Sequence, residues 1–567
     1  MLDRAPAADA ATDAPSEFSP SGPYRAFKQF GLVLLCGAWV LLGLFHHDPW
    51  KPDDATTFGY VLSIVRGGDW LLPHLAGEAV VGRPPLFDML AAATGLLFGG
   101  LIPLHDAARI SVALCLGFML WLIALTGIEL YGRPFRWPPV LVLVGCVGLW
   151  DRAHQLASDV GLLAAYALAL YALALCLRRE RVAGLLLGIA CAIAFLCKGW
   201  FPPALIAITA LVLPCFPAWR TRRYALTLLI AAGVAIPLFA AWPAALYLRD
   251  PALWAGWAQQ QGFRRWLQPD SDLPAREPLY YLVNLPWLAW PALPLALWSV
   301  VIRLRGFNGG LRSPGIELPA TMFIVVLIAL SASTEPRTAA ALPLLLPLSL
   351  IGAAEVDTLK RGYSGALDWF GILTFGLLGA LVWLLWIDSL QAGLPEAVAH
   401  LFRDTRPGYK SQVETFPLIA AVVLTVLWLM LVRPARRSNR RAVLNWAAGM
   451  TLVWGLYMTI WLPYLDSRRS YRFVAESLRT HMPADTCVAR RKVGEAQRAM
   501  LDYFGGVRTV REGSPGSEAC DALLLQAAHG EDDSPPPGFV TLWEGRRRGD
   551  DTEHFVLFRR STAGSQP

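Results

Sequence analysis

Two adjacent carboxylates, Asp53 and Asp54, stand in a long polar stretch between apolar runs: KPDDATTFGYVLSIVRGGDWLLPHLAGEAVVGRPPL, Lys51 to Leu86. A carboxylate can take the proton from a hydroxyl nucleophile, and such general base catalysis is worth about 10²–10⁴ in rate. The stretch also carries a Gly68-Asp69-Trp70 turn, a Pro73-His74 pair and Arg83 ahead of Pro84-Pro85. Arginine offers a planar fork that can bind two phosphate oxygens, where lysine acts as a point charge. Connectors between membrane-type segments are usually short, so this much polar chemistry marks a site. A solvated loop whose acids merely face water is the plain alternative, since clustered charges mark sites only statistically.

PDDA at Pro52–Ala55, GDWLLPHLAGE at Gly68–Glu78 and RPPL at Arg83–Leu86 occur in an order and spacing that has a known counterpart. The stretch resembles the first extracytoplasmic loop of the GT-C membrane glycosyltransferases that use polyprenyl-phosphate sugars. These include the lipid A aminoarabinose transferases and, more distantly, the protein O-mannosyltransferases. The resemblance is clear to about Lys198, thinner to Pro347 and slight beyond.

The resemblance implies that Asp53 lies nearest the reacting centre. Asp54 replaces a glutamate and would orient a substrate amine or hydroxyl. Asp159 matches the second acidic position of the family; by residue type, Ser158-Asp159 is also a good helix cap. Arg83 stands where the family has lysine. Lys198 matches the lysine of a threonine-lysine-glycine turn, although a lone lysine at the end of an apolar run can simply snorkel. Arg264 and Arg265, after Gln259–Gln261, are further phosphate candidates that could equally face anionic lipid.

Some positions depart from the family pattern. Gly82 replaces a glutamate that the aminoarabinose enzymes link to a bound metal, and His74, His105 and His154 have no zinc-like spacing, so no metal or other cofactor is inferred. Thr334, Glu335, Arg337 and Ala340 replace a lysine-and-tyrosine region, which implies altered donor or acceptor recognition there.

The elements that must position these residues are membrane spans. A chain of 567 residues that is 55% hydrophobic, with mean hydropathy +0.43, is too apolar for a soluble enzyme of its size. Its 23 Trp suit two interfacial belts. The net charge of +7 is assigned to cytoplasmic loops and not to nucleic-acid binding, because the basic clusters sit between apolar runs.

The expected fold is mostly α: a polytopic GT-C bundle of about 13 spans, near 30–46, 108–130, 137–151, 160–177, 183–198, 201–217, 224–242, 280–301, 316–333, 339–354, 366–386, 416–433 and 443–463. Arginine-rich connectors at alternate turns place the N-terminus inside, and then segment 86–101 must not span. Spacing of three and four at Ala55, Phe58, Val61, Leu62 and Val65 predicts a short amphipathic helix, lying on the membrane or packed on the bundle top.

Residues 1–24 read as a disordered cytoplasmic tail, 25–465 as the transmembrane unit with a catalytic loop at 47–107, and 466–567 as a periplasmic α/β domain. Of nine Cys, only Cys487 and Cys520 fall in that domain, where a disulfide is expected. The resulting expectation is a multi-pass transferase of the bacterial inner membrane, facing the periplasm. It would move a sugar from an undecaprenyl-phosphate donor to lipid A, a protein or another glycan, with membrane lipids as its other partners. A lipid or polysaccharide transporter is the alternative, although acids gathered at one membrane face and the lack of an evident repeat count against it. A non-catalytic relative of such transferases is the third reading.

Overall fold

Long apolar helices dominate the computed structural model, which describes residues 22–260, 277–333, 336–391, 413–433, 438–482, 486–528, 533–548, 550 and 552–561. The tail at 1–21 and the Arg264–Arg265 pair lie outside the described residues. Among the described residues, seven helices are long and apolar enough to cross a membrane, or up to nine when each of two bent pairs counts as one span. The pairs are Tyr280–Leu288 with Ala292–Leu304, bent by 98°, and Asn439–Tyr457 with Leu462–Arg469, bent by 62°. Shorter apolar helices, among them Leu86–Phe98 and Thr338–Ala354, pack with these.

Several expected spans are not continuous helices: 280–301 and 443–463 fall on the two bent pairs, and 137–151 is broken as well. The run 137–151 forms only Pro138–Val144 before Gly145 and two 3-10 turns break it, although all seven helical residues are buried. Apolar composition alone could not reveal that break.

Four helices frame the site. The helix α1 spans Gly22–Leu41, α2 Asp53–Val65, α3 Leu86–Phe98 and α4 Leu104–Tyr131. At 28 residues α4 is about 42 Å long, more than the ~30 Å hydrocarbon core needs. Its first turns therefore carry His105, Asp106 and Arg109, residues that a fully lipid-embedded helix would not tolerate. Ser158–Leu175, rich in Ala and Leu, is buried on nearly every side and forms the bundle's central post.

The small C-terminal unit combines helices with one sheet. Five strands form one sheet: β3 (Val488–Arg491), β4 (Thr509–Arg511), β5 (Ala522–Ala528), β6 (Phe539–Gly545) and β7 (Glu553–Arg560), after a short hairpin β1 (His74–Leu75) and β2 (Glu78–Ala79) in the first loop. Their order is β4-β3-β5-β7-β6, with β3 parallel to both β4 and β5, and β7 antiparallel to both β5 and β6. Two helices, Arg472–His481 and Glu495–Gly505, accompany the sheet.

The Glu495–Gly505 helix covers α2. A Cβ at Gly59 would lie 2.7 Å from the Ala499 side chain and 2.5 Å from Leu75, so only glycine allows the two helices to cross this closely. The amphipathic pattern of α2 is real, but the helix does not lie open on a membrane surface. Between the bundle below and this domain above, nine of its thirteen residues are buried.

Candidate functional site

Successive residues of a helix point about 100° apart, and the two aspartates that start α2 meet different surroundings. Asp53 is half-buried and lines a cavity of about 490 Å³. Among the described residues it makes no hydrogen bond or ion pair. Asp54 turns inward and is 2% exposed. It accepts hydrogen bonds from Arg109 Nη2 at 2.7 Å and from the backbone N–H groups of Trp50 and Leu156 at 3.0 Å each. Burial pushes the Asp54 carboxyl up, but the Arg109 charge and these hydrogen bonds outweigh it and hold the group below the usual carboxylate range.

Arg109 is itself fully buried. Besides Asp54 it donates to Asp106 at 3.1 Å and to the carbonyls of His47 and Asp48 at 2.7 and 3.1 Å. One guanidinium thus fixes the loop leading into α2, and the carboxylate it grips also holds Leu156, just before Asp159.

The cavity gathers four of the predicted residues: Asp53, Arg83, Asp159 and Lys198. Arg83 lies 3.0 Å from the Asp88 carboxylate and 5.2 Å over the Tyr60 ring, which fixes the plane of its guanidinium. Lys198 Nζ lies 2.9 Å from Asp159. The N-cap of that helix is Ala157, with no side-chain cap bond, so Asp159 does not cap it; it lies in the first turn and pairs with Lys198. The arrangement presents the Asp53 carboxylate beside Arg83 and Lys198, each held by its own acid.

The Gly68-Asp69-Trp70 turn serves structure. Asp69 closes its own turn onto the Leu71 N–H and pairs with Arg249, while Trp242 Nε1 donates to the Leu71 carbonyl. Cys487 and Cys520 form a disulfide, with Cα atoms 4.6 Å apart, and neither lines the cavity.

Sequence reasoning missed several lining residues: Lys51, Tyr60, Glu495 and Gln497. Arg337, noted only as a departure from the family pattern, lines the cavity too. Lys51 adjoins the PDDA motif, and that adjacency was a usable signal. Glu495 and Gln497 carry none, because they come from the C-terminal unit and reach the cavity only through its docking. Lys51 makes the cross-connection, its Nζ 3.0 Å from Glu553 on β7.

No protein-family model matches the chain. A curated relative, the undecaprenyl phosphate-alpha-4-amino-4-deoxy-L-arabinose arabinosyl transferase of Pseudomonas paraeruginosa, is 28% identical over 448 residues, covering 75% of this chain and 74% of that protein. The transferase of the same name from Yersinia enterocolitica is 24% identical over 496 residues, covering 83% of this chain and 84% of that one. Among solved structures, ArnT from Cupriavidus metallidurans bound to undecaprenyl phosphate superposes with a TM-score of 0.66 at 14% identity, over 97% of this chain and all of that one.

The chain is a homologue of these aminoarabinose transferases. The ArnT fold accounts for both parts of its architecture, a helical membrane bundle with a small C-terminal sheet domain. These relatives are transferases and lend nothing to the transporter alternative. In this ArnT-like chain no three His, Cys, Asp or Glu among the described residues are grouped to hold a metal, and Gly82 offers no ligand.

Proposed function

We propose that the protein is an undecaprenyl-phosphate-sugar-dependent glycosyltransferase of the aminoarabinose-transferase type, in a bacterial inner membrane. Its N-terminus is cytoplasmic, and its cavity and C-terminal unit face the periplasm. The observation that carries this reading is the unpaired Asp53 carboxylate opening on the same cavity as Arg83 and Lys198.

Asp53 accepts the proton of an acceptor hydroxyl as its oxygen attacks the anomeric carbon. The new carbon–oxygen bond forms while the bond from that carbon to the donor phosphate breaks. The departing undecaprenyl phosphate takes the electron pair, and its charge falls to Arg83 and Lys198, which are held in place before the reaction begins. Asp159 keeps Lys198 at its post, and Asp54 keeps α2 at its own. Acceptors that fit are lipid A, a protein hydroxyl or another glycan.

The test is Asp53→Asn, assayed with purified protein, an undecaprenyl-phosphate-linked sugar and lipid A. Transfer should fall by about 10²–10⁴, because the amide cannot take the proton. Turnover near that of the parent would remove Asp53 from the reaction.

A further inference from the structure

A second cavity, of about 470 Å³, lies at the other end of the bundle. That volume falls in the ~300–1,000 Å³ range usual for small-molecule sites. Helix termini form its walls: the last turns of α4, Ala292–Leu304 and Leu345–Ala354, and the start of Pro314–Ser331. The first turns of α4 hold Asp54 through Arg109, and its last turn reaches this second cavity. The two cavities are therefore separated by roughly the ~42 Å length of that helix, and the proposed topology puts the second one on the cytoplasmic side. The ends of membrane helices lie at the depth of lipid headgroups.

Among the described residues, two side chains that line it carry charge, Arg303 and Glu129. Arg303 is only 8% exposed and is rigidly placed. Its Nε donates to the buried Glu355 at 2.6 Å, and its Nη1 donates to the Asn308 carbonyl and to Ser313 Oγ. Asn308 holds the same Glu355 at 2.8 Å. Arg303 Nη2 makes no hydrogen bond among the described residues, which leaves it for a ligand. Ser313 accepts from Arg303 through its oxygen, so its hydroxyl proton is left as well. The first N–H of the Pro314–Ser331 helix is that of Gly315, because Pro314 has none, and it too lacks an acceptor among the described residues. Three donors around one fixed positive charge suit a phosphate.

Glu129 sets the second requirement. Its partner is Arg178, 3.4 Å away, whose side chain is 72% exposed, and a long, solvated pair of this kind contributes little. Glu129 can therefore exchange Arg178 for a cation on a ligand. A bare phosphate would be drawn by Arg303 and repelled by Glu129, whereas a phosphate that carries an ammonium group a few bonds away satisfies both. We infer that this second cavity binds a phosphate–ammonium zwitterion, the headgroup chemistry of phosphatidylethanolamine. The phosphate rests on Arg303, Ser313 and the Gly315 N–H, and the ammonium on Glu129. Tyr131 joins the two sides: it follows Glu129 on α4, and its hydroxyl donates to the Gly315 carbonyl at 2.6 Å. An occupied site ties the end of α4 to the start of the Pro314–Ser331 helix. Neither Arg303 nor Glu129 lines the catalytic cavity, so this binding stands apart from sugar transfer.

The test is native mass spectrometry of the full-length protein in detergent, titrated with dioleoylphosphatidylethanolamine, dioleoylphosphatidylglycerol or free phosphoethanolamine. The parent should bind the ethanolamine lipid about tenfold more tightly than the glycerol lipid, the worth of one charge-assisted hydrogen bond. Glu129→Gln, which loses only a solvated ion pair and should melt with the parent, should erase that preference by weakening the ethanolamine lipid alone. Glu129→Asp should keep part of it, and Ser313→Ala should weaken both lipids to the same degree. Equal binding of the two lipids by the parent, or a preference that survives Glu129→Gln, overturns the inference. A Ser313→Ala protein that binds both lipids as the parent does overturns the placement of the phosphate. Free phosphoethanolamine that displaces the ethanolamine lipid at comparable concentration supports the same site with a soluble ligand, and failure to displace it assigns the site to the lipid.

Discussion

Replacing Asp54 by Asn alters almost no volume at the head of α2, but it removes the anion around which Arg109 is buried. Breaking a buried ion pair by removing one partner costs about 3–5 kcal/mol, because the remaining charge stays desolvated. Asp106, 3.1 Å from the same guanidinium, holds part of that charge and argues for the lower end. Against that, one carboxylate oxygen now accepts from Arg109 Nη2 and Trp50 while the other accepts from Leu156. Whichever way the amide turns, its NH₂ faces a donor, which adds about 1–3 kcal/mol for an unsatisfied group.

A total near 4 kcal/mol is a large share of the ~5–15 kcal/mol that a folded domain usually holds. At about 2–4 °C per kcal/mol, the melting temperature of the purified protein should fall by roughly 10 °C. Asp53→Asn, at a position with no partner to lose, should stay within about 0.5 kcal/mol of the parent. Because folding lowers the Asp54 pKa, its contribution is complete above the unfolded value of about 3.9 and is lost as pH falls through the lower folded value. The difference in melting temperature between parent and Asp54→Asn should therefore narrow in acid. An Asp54→Asn protein that melts with the parent, or an Asp53→Asn protein that melts equally early, would refute the division of labour between the two aspartates.

Cys487→Ser opens a loop with a sequence separation of 33 and should cost the C-terminal unit about 3–4 kcal/mol, read as earlier proteolysis of 486–561 in the parent's detergent; unchanged protection would mean the sheet alone holds the unit. A reporter fused after Arg559 should report the periplasm and one at Arg437 the cytoplasm, as the arginine distribution requires, and finding both on one side would break the count of spans between them.

The parts of this protein legible in its sequence are those governed by local chemistry. Hydropathy located the long helices, because the apolar pattern repeats inside each element. Asp53, Asp159, Arg83 and Lys198 stood out through the resemblance of their motifs to those of polyprenyl-phosphate-sugar transferases. What stayed hidden was set by partners far along the chain. Asp54 looks like a second catalytic acid until Arg109, 55 residues away, is placed against it. The run at 137–151 looks like a span until its break at Gly145 is seen.

Glu495 and Gln497 look like ordinary first-turn residues of a surface helix. They reach the cavity only because Gly59 lacks a side chain and lets that helix settle on α2, a contact between residues 440 positions apart. In isolation, the first loop would supply Asp53 and Arg83 to the cavity but not the wall that Glu495 and Gln497 form. The first loop and the C-terminal unit therefore line one cavity between them.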